Sequence, residues 1–219
     1  MSRSAPPAAK AADAPPGGRV DRRRQILDAA TAVFARHGYH GSRVSDIARE
    51  AGIAYGLVYH YFENKEEILR SVFEDRFGSF LQVVEAIAER PTSAEDRLLS
   101  VAALILGGYR RQPDWVKVFT LEIQRTSRFA EPEQLRAVGR LFRLVARILR
   151  EGQERGELRR DLDPDLACYA FIGGLEIVVT SLVLDLLRVE GDADAYYLKV
   201  AQTVVETFLR GARSGGGEP

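Results

Sequence analysis

Residues 44–62 read VSDIAREAGIAYGLVYHYF, and the spacing of their apolar residues is interrupted at Gly52. Ile47 and Ala51 lie four residues apart, which places them on one face of a short helix. Gly52 is predicted to end that helix, because glycine adopts the left-handed conformation at little cost. A second helix is predicted over about residues 55–61. Two short helices joined by a tight turn that contains Gly indicate a helix-turn-helix, a unit whose second helix enters the DNA major groove.

A longer pattern extends on both sides of this unit. Its motifs follow one another in fixed order and spacing: Gly38-Tyr39, Ile47-Ala48, Ala51-Gly52-Ile53, Gly56, Tyr59-x-Tyr61-Phe62 and Asn64-Lys65-Glu66-Glu67. Together they resemble the TetR family of transcriptional repressors. The resemblance covers roughly residues 22–70, and the remainder of the chain matches only in length and helical character. It implies a homodimer that binds palindromic operator DNA and is released by a small-molecule effector.

The resemblance also implies which residues contact DNA. The residues expected to face the groove are Tyr55, Gly56, Leu57 and His60, and those expected to contact the DNA backbone are Tyr59, Tyr61 and Lys65. Two further contacts, Arg43 and Val44, are expected at the start of the first helix of the helix-turn-helix. Lys65 stands at a predicted helix N-terminus, where its charge opposes the helix dipole, so a phosphate contact would account for it.

The chain departs from the family pattern at several of these positions. Arg43 replaces a hydroxyl residue, and the preceding Ser42 is expected to cap the helix instead. Tyr55 and Leu57 stand where the family often has Lys and Thr. Leu57 is able to contact a thymine methyl but reads no hydrogen-bonding group. The operator sequence therefore cannot be carried over from the family.

Charge and cysteine content agree with a DNA-reading head on a neutral body. The net charge of the 219 residues is +0, yet residues 19–49 contain seven Arg and three Asp. From residue 68 onward, 21 basic residues face 23 acidic ones. The single cysteine, Cys168, excludes an internal disulfide and suits a reducing cytoplasm. Because Cys168 lies in an apolar run, we expect a packed core thiol.

The predicted fold class is all-α, with an N-terminal three-helix helix-turn-helix domain and a C-terminal helical ligand-binding and dimerisation domain. Residues 1–19 are predicted to be a disordered leader, 20–67 the DNA-binding domain, 68–213 the effector-binding and dimerisation domain, and 214–219 a flexible tail. Helices are predicted over about residues 21–36, 65–90, 94–112, 114–126, 131–156, 164–187 and 193–210.

Residues 166–184 are apolar on all sides except at Glu176. A membrane span needs about 20 such residues, but Glu176 and the Gly173-Gly174 pair favour a buried core helix, and no membrane association is expected. A helix that is apolar all round needs two covering surfaces. One is its own domain and the other is a second subunit. By resemblance, residues 164–187 and 193–210 pair with their copies in a four-helix bundle.

The effector is predicted from a second, narrower resemblance. The Leu121–Arg125 run and the head resemble the acyl-CoA-responsive regulators of fatty-acid degradation within the family. The residues expected to line an effector pocket are Tyr109, Trp115, Phe119, Glu122, Arg125, Phe171 and Leu175, and the cations expected to meet phosphates are Arg110, Arg111, Lys117, Arg125 and Arg128. The alternatives are a plain core with a solvated arginine face, or a drug-type cationic ligand held by Glu176 or Glu122.

Other classes of function fit less well. The sequence has no Gly-rich phosphate loop, metal cluster or nucleophile elbow, so neither an enzyme nor a cofactor is expected. The spacing of His37, His40 and His60 suits no metal site. A DNA-binding adaptor whose body binds a protein is the remaining alternative.

Overall fold

The computed structural model describes residues 16–123 and 132–212, so the predicted leader up to residue 15, the predicted tail, and Arg125 and Arg128 lie outside the described residues. Within these ranges there are helices and no strands, which confirms the predicted all-α class. The elements are α1 (Pro16–Gly41), α2 (Val44–Glu50), α3 (Tyr55–Val58), α4 (Lys65–Ala88), α5 (Ala94–Arg111), α6 (Pro113–Val118), a π-helical turn (Phe119–Ile123), α7 (Pro132–Glu154), α8 (Pro164–Val183) and α9 (Ala193–Ala212).

Helix α1 begins at Pro16, five residues before the predicted start at Asp21. A proline is well placed there, because the first turn of a helix leaves its N–H groups unpaired in any case. The predicted stop at Gly38 is confirmed by its backbone, which has a φ of 69° and a ψ of 165°. The left-handed φ turns the chain away from α1 before α2 begins.

Ser42 does not cap α2, so that prediction is wrong. The residue at the N-cap is Arg43, in an extended conformation, and its N–H donates to the Asp46 carboxylate over 3.0 Å. The Ser42 hydroxyl instead donates to the carbonyl oxygen of Gly38 over 2.6 Å. Ser42 is buried and ties the turn back to the end of α1.

The turn between α2 and α3 has the predicted chemistry. Gly52 has a φ of 65°, and the N–H of Ile53 donates to the carbonyl oxygen of Ala48 over 3.0 Å, which closes the end of α2. Ile53 is half-buried against the core of the head. The two short helices are held by Ile47 and Val58, both of which are fully buried.

Helix α4 joins the head to the body. Asn64 caps it by accepting the N–H of Glu67 over 2.8 Å, as predicted. Its far end is held by Arg97 of α5, whose side chain is 1% exposed. The Arg97 guanidinium donates to the carbonyl oxygen of Ala88 over 3.0 Å and pairs with Glu151 of α7. One buried cation thus fixes the C-terminal end of α4 against two body helices.

The body differs from the prediction between residues 113 and 123. One continuous helix was expected over residues 114–126, but regular α-helix ends at Val118 and a π-helical turn follows. Such turns are rare and often mark functional sites. The last helices pack as layers, with α8 against α7 and α9 against α5. Cys168 is buried in α8, as predicted, and burial raises the pKa of its thiol.

Helix α8 is covered on one side by its own chain. The buried side chains of that face include Phe171, Leu175 and Val179, whereas Tyr169 and Ile177 on the other side are 58% and 64% exposed. Among the described residues, α8 is the helix long and apolar enough to cross a membrane by length and composition, and 39% of it is buried in this chain. The described residues of this chain do not supply the second covering surface that the sequence requires.

We expect Glu151→Gln to lower the free energy of unfolding by about 2 kcal/mol at pH 7. Removing one partner of a buried ion pair costs about 3–5 kcal/mol, and the side chain of Glu151 is 33% exposed, which reduces the loss. Urea unfolding of the two proteins measures the difference.

The pH dependence follows from Arg97, whose hydrogen bond lowers the pKa of Glu151 below the usual 4.5. The stabilisation is therefore complete above that value and is lost as the pH falls through the lowered pKa. The control is Glu85→Gln, which removes a solvent-exposed pair with Arg140 and should cost much less. Equal losses in the two variants would contradict the clamp at Arg97.

Candidate functional site

Helix α3, the candidate recognition helix, is short and is held against the head by buried side chains. Its regular part spans Tyr55–Val58, and a further turn carries the chain to Phe62, whose N–H donates to the carbonyl oxygen of Val58 over 3.0 Å. Val58 and Phe62 are both buried beneath it. The predicted helix over residues 55–61 is therefore one α-helical turn followed by a looser one. Its outer side chains project from a backbone that the core holds in place.

Two tyrosines dominate the outer face of α3. Tyr55 and Tyr59 are 53% and 46% exposed. Their hydroxyl oxygens lie 3.0 Å apart and their rings meet edge to face, with centroids 5.2 Å apart. The hydrogen bond with Tyr55 raises the pKa of Tyr59. The pair therefore presents two mutually oriented phenols, which is a more rigid surface than two independent side chains.

The remaining predicted DNA contacts are distributed over the N-terminus of α2, α3 and the start of α4. Arg43, Gly56 and His60 are exposed, whereas Val44, Leu57, Tyr61 and Lys65 are half-buried. A Cβ atom added at Gly56 would meet nothing within 4 Å inside the chain. Packing within the head thus gives no reason for a glycine there, and its use for close approach to DNA stays a prediction.

Lys65 has a role inside the head that the sequence did not reveal. Its ammonium donates to the carbonyl oxygens of Tyr39 and Ser42 over 2.6 and 2.8 Å, and lies 4.3 Å from the centroid of the Tyr39 ring. These contacts hold the turn between α1 and α2 against the start of α4. They account for a cation at a helix N-terminus without any phosphate, and the phosphate contact stays a prediction.

A cavity of about 760 Å³ lies between the head and the body. Five body helices, the first helix of the head and the π-helical turn contribute to its wall. Its apolar lining consists of Leu27, Phe77, Phe80, Val83, Leu104, Ile105, Trp115, Val116, Phe119, Val138, Leu141, Phe142, Ile172, Leu175 and Val179. This volume falls within the range of about 300–1,000 Å³ that is usual for small-molecule sites.

Aromatic rings form one side of the cavity. The Phe77 ring lies parallel to those of Phe73 and Phe119, at centroid distances of 4.8 and 5.6 Å. Trp115 continues the row, 5.6 Å from Phe119. The row runs from α4 to the π-helical turn and joins the linker helix to the body through apolar contact.

Four arginines also line the cavity, two from the head and two from the body: Arg23, Arg24, Arg76 and Arg111. Asp75 and Glu176 are the acidic residues of the lining, so the charged groups carry a net positive charge. Arg23, Arg24 and Arg111 are exposed, and the Arg23 guanidinium also donates to the Ser71 hydroxyl over 3.0 Å. The arrangement suits a molecule with a long apolar part and an anionic part.

The structure brings together some of the predicted ligand residues and separates others. Trp115, Phe119 and Leu175 line the cavity, as does Arg111. Phe171 does not, because its side chain is fully buried against Phe208, with ring centroids 5.3 Å apart.

Tyr109 and Glu122 also lie elsewhere. The Tyr109 hydroxyl donates to the carbonyl oxygen of Leu182 over 3.1 Å, and its ring faces Tyr197. Glu122 reaches the head instead, where its carboxylate lies 3.1 Å from the position that a Cβ atom on Gly38 would take. Of the predicted phosphate-binding cations, Arg110 is paired with Asp194.

Sequence reasoning missed the contribution of α4 and α1 to the cavity. Phe77 and Phe80 repeat at helical spacing, a signal that a packed core produces equally well. Arg76 follows Glu74 and Asp75 in the sequence, and a short charged run of this kind is equally typical of a solvent-exposed helix face. Arg23 and Arg24 lie at the exposed start of α1 in the head, and the structure shows that they also line the cavity.

Comparisons with known proteins agree with this arrangement. Residues 26–72 match the family described as bacterial regulatory proteins, tetR family, and residues 73–202 match the YsiA-like protein, C-terminal region. The fatty acid metabolism regulator protein of Bacillus subtilis is 32% identical over 161 residues, which are 74% of this chain and 83% of that protein.

Solved structures give the same result. The fatty acid degradation regulator FadR from Bacillus halodurans has a TM-score of 0.78 at 29% identity and covers 87% of this chain and 95% of its own. FadR from Bacillus subtilis, solved in complex with stearoyl-CoA, has a TM-score of 0.76 at 29% identity and covers 86% and 98%. The predicted resemblance to a family of DNA-binding regulators is thereby confirmed.

We expect Arg43→Ala to weaken binding to all DNA duplexes alike, because an exposed cation at the start of α2 would contact phosphate. The slope of log affinity against log salt should fall by about one. Fluorescence anisotropy at several salt concentrations measures it. The control is Arg160→Ala, which removes an exposed arginine distant in sequence from the head. An unchanged slope in Arg43→Ala would remove this residue from the DNA contacts.

Tyr55→Ala should change which duplexes are selected from a random pool, since a side chain in the groove discriminates between bases by about 1–3 kcal/mol. Tyr55→Phe keeps the ring and removes the hydroxyl that Tyr59 contacts. Comparing the two selections assigns the effect to the ring or to the hydroxyl. If both variants select the same sequences as the parent, Tyr55 does not read the operator.

Proposed function

The chain belongs to the TetR family of ligand-responsive transcriptional repressors, and on this basis we propose that a long-chain acyl-CoA is the effector that releases it from operator DNA. The observation that carries this proposal is the cavity, whose walls are apolar and whose lining includes arginines from both head and body. Acyl-CoA joins a long hydrocarbon chain to several phosphates. The hydrocarbon chain would contact the apolar walls, and the phosphates would contact the arginines.

The volume of the cavity supports a long chain. A methylene group is close in size to a water molecule, which takes up roughly 30 Å³ in the liquid. A chain of about 18 carbons therefore needs roughly 540 Å³, which the cavity of about 760 Å³ accommodates. The relative from Bacillus subtilis binds stearoyl-CoA in its solved structure. The same ligand is our proposed probe for this chain.

The phosphates are proposed to bind the arginines. A guanidinium binds phosphate through two parallel hydrogen bonds, which gives both affinity and orientation. Arg23, Arg24, Arg76 and Arg111 line the cavity, and together they offset the charge of the coenzyme better than a single cation would. Asp75 and Glu176 stay within the same lining and are expected to face away from the bound phosphates.

We propose that the active repressor is a homodimer formed through α8 and α9. Leu166, Tyr169 and Ile177 of α8 and Leu198 of α9 are between 49% and 69% exposed in the single chain. Covering such side chains contributes about 25 cal/mol per Å² of apolar area. A two-fold dimer also holds two reading helices about 34–36 Å apart, the separation of successive major-groove turns.

The two domains are proposed to have different roles. Residues 20–67 read DNA, with the predicted contacts on α2, α3 and the start of α4, and residues 68–213 bind effector and the second subunit. Because its proposed partner is operator DNA, we expect the protein to act in the cytoplasm. Release requires that the effector bind the DNA-incompetent arrangement more tightly, because equal affinity for both arrangements shifts nothing.

A hydrophobic cationic drug is the second candidate effector. It is favoured by one observation, the presence of Asp75 and Glu176 in the cavity lining beside several aromatic rings. A cation over aromatic faces and near a carboxylate is a stable arrangement. Such a ligand would not use the four arginines. An adaptor that binds a protein through its body has no use for a cavity of this kind.

We expect Leu104→Trp to weaken binding of stearoyl-CoA roughly tenfold or more, because the larger side chain fills the cavity. Leu104 is half-buried and lines it. DNA binding without effector should stay unchanged. Isothermal titration calorimetry measures the first quantity and anisotropy the second.

Leu135→Trp is the matched control, since Leu135 is 57% exposed on α7 and does not line the cavity. Leu104→Phe, a smaller change, serves if the first variant unfolds at a lower temperature. The proposal is contradicted if the parent protein binds no acyl-CoA, or if Leu104→Trp binds it as the parent does.

A further inference from the structure

We propose that Arg76 is the switch through which the effector reaches the head: a bound phosphate takes its guanidinium away from Asp28. This inference rests on the proposed function and names the step that couples the cavity to DNA release. In it, the acyl chain supplies affinity and the phosphate supplies the signal. The same cavity occupied by a ligand without phosphate leaves the protein on its operator.

Arg76 stands at the meeting point of three parts of the chain. It belongs to α4, it lines the cavity, and its guanidinium forms an ion pair with Asp28 of α1 in the head. The same guanidinium donates to the side-chain oxygen of Gln112, at the junction of α5 and α6, over 3.2 Å. One side chain therefore connects the head, the linker helix and the body.

The contact with Asp28 lies where head and body meet. Helix α1 packs against α6 as well as against α4, so α1 is the part of the head that rests on the body. Asp28 is on α1, and its side chain is 51% exposed. A bond between Asp28 and Arg76 holds α1 at one position along α4.

This ion pair is a weak competitor for a phosphate. Solvent-exposed pairs contribute little, and Asp28 is half-exposed, whereas the side chain of Arg76 is only 22% exposed. A phosphate at Arg76 gains in addition from Arg23, Arg24 and Arg111, which line the same cavity. A charge-assisted bond of the bidentate kind is also stronger than most. The effector phosphate is therefore able to displace the carboxylate.

Displacement changes the force on α1. Before binding, opposite charges on Asp28 and Arg76 attract. Afterwards the carboxylate of Asp28 faces an anion that occupies its former partner. Two negative charges on either side of one guanidinium repel each other. The head is pushed away from the position in which it is held without effector.

The test compares Asp28→Asn with the parent protein. We expect Asp28→Asn to bind DNA more weakly without effector, because α1 has lost its ion pair with Arg76 of α4, and to bind stearoyl-CoA at least as tightly. The ratio of DNA affinities without and with saturating stearoyl-CoA should fall to below about threefold, from a parent value within the usual 5–150-fold of coupled sites. Anisotropy of labelled operator gives the ratio.

Ligand binding has its own readout in this chain. Trp115 is the single tryptophan and lines the cavity, so its fluorescence reports occupancy independently of DNA. Asp21→Asn is the matched control: the same change in an exposed acidic residue of α1. It should leave the coupling ratio as in the parent. S-stearoyl-N-acetylcysteamine, which has the acyl thioester and no phosphate, should change Trp115 fluorescence without releasing DNA.

The outcomes separate the two claims. If stearoyl-CoA leaves Trp115 fluorescence and DNA binding unchanged, the proposed effector is wrong and this inference falls with it. If stearoyl-CoA binds and releases DNA, but Asp28→Asn couples as strongly as the parent, only the switch is wrong. Release of DNA by the phosphate-free thioester would overturn the switch in the same way.

Discussion

Helix α4 packs against both the head and the body, and the rest of the structure depends on this constraint. Its first turn is capped by Asn64 and tied through Lys65 to the turn between α1 and α2. Its middle supplies Phe77 and Phe80 to the cavity, and the carbonyl oxygen of its last residue, Ala88, accepts a hydrogen bond from the buried Arg97. A helix of 24 residues is about 36 Å long. Because one helix contacts both regions, we expect a displacement of α4 at the cavity to reach the head.

The cavity and the head are coupled along a second line, through the π-helical turn. Phe119 begins the turn within the aromatic row, and Glu122, three residues later, lies against Gly38 at the end of α1. A Cβ atom at Gly38 would lie 3.1 Å from that carboxylate, and the left-handed φ of Gly38 is unfavourable for any other residue. The π-helical turn thus contacts both the cavity and the end of α1.

The sequence predicted those features that a single local rule specifies. Gly38 and Gly52 end helices because of their backbone freedom, and Asn64 caps α4 because its side chain accepts a backbone N–H. The cavity was predicted only in part. Phe171 and Leu175 have the same apolar character one turn apart on α8, yet Phe171 faces Phe208 and only Leu175 lines the cavity. Periodicity predicts which face of a helix is buried, but not which other element that face contacts. The contacts of Lys65, Arg76 and Tyr109 depend on tertiary packing, so the sequence alone did not predict them.

The central claim is that an effector in the body changes the separation of two reading helices in a dimer. Double electron–electron resonance between two spin labels, one on the head of each subunit, measures that separation directly. A label at Glu66→Cys would sit on the exposed side of α4 at the head, and the native Cys168 is buried with a raised pKa, so it reacts slowly. We expect one label-to-label distance without ligand and a different one with saturating stearoyl-CoA. The same distance in both samples, with the ligand demonstrably bound, would contradict it.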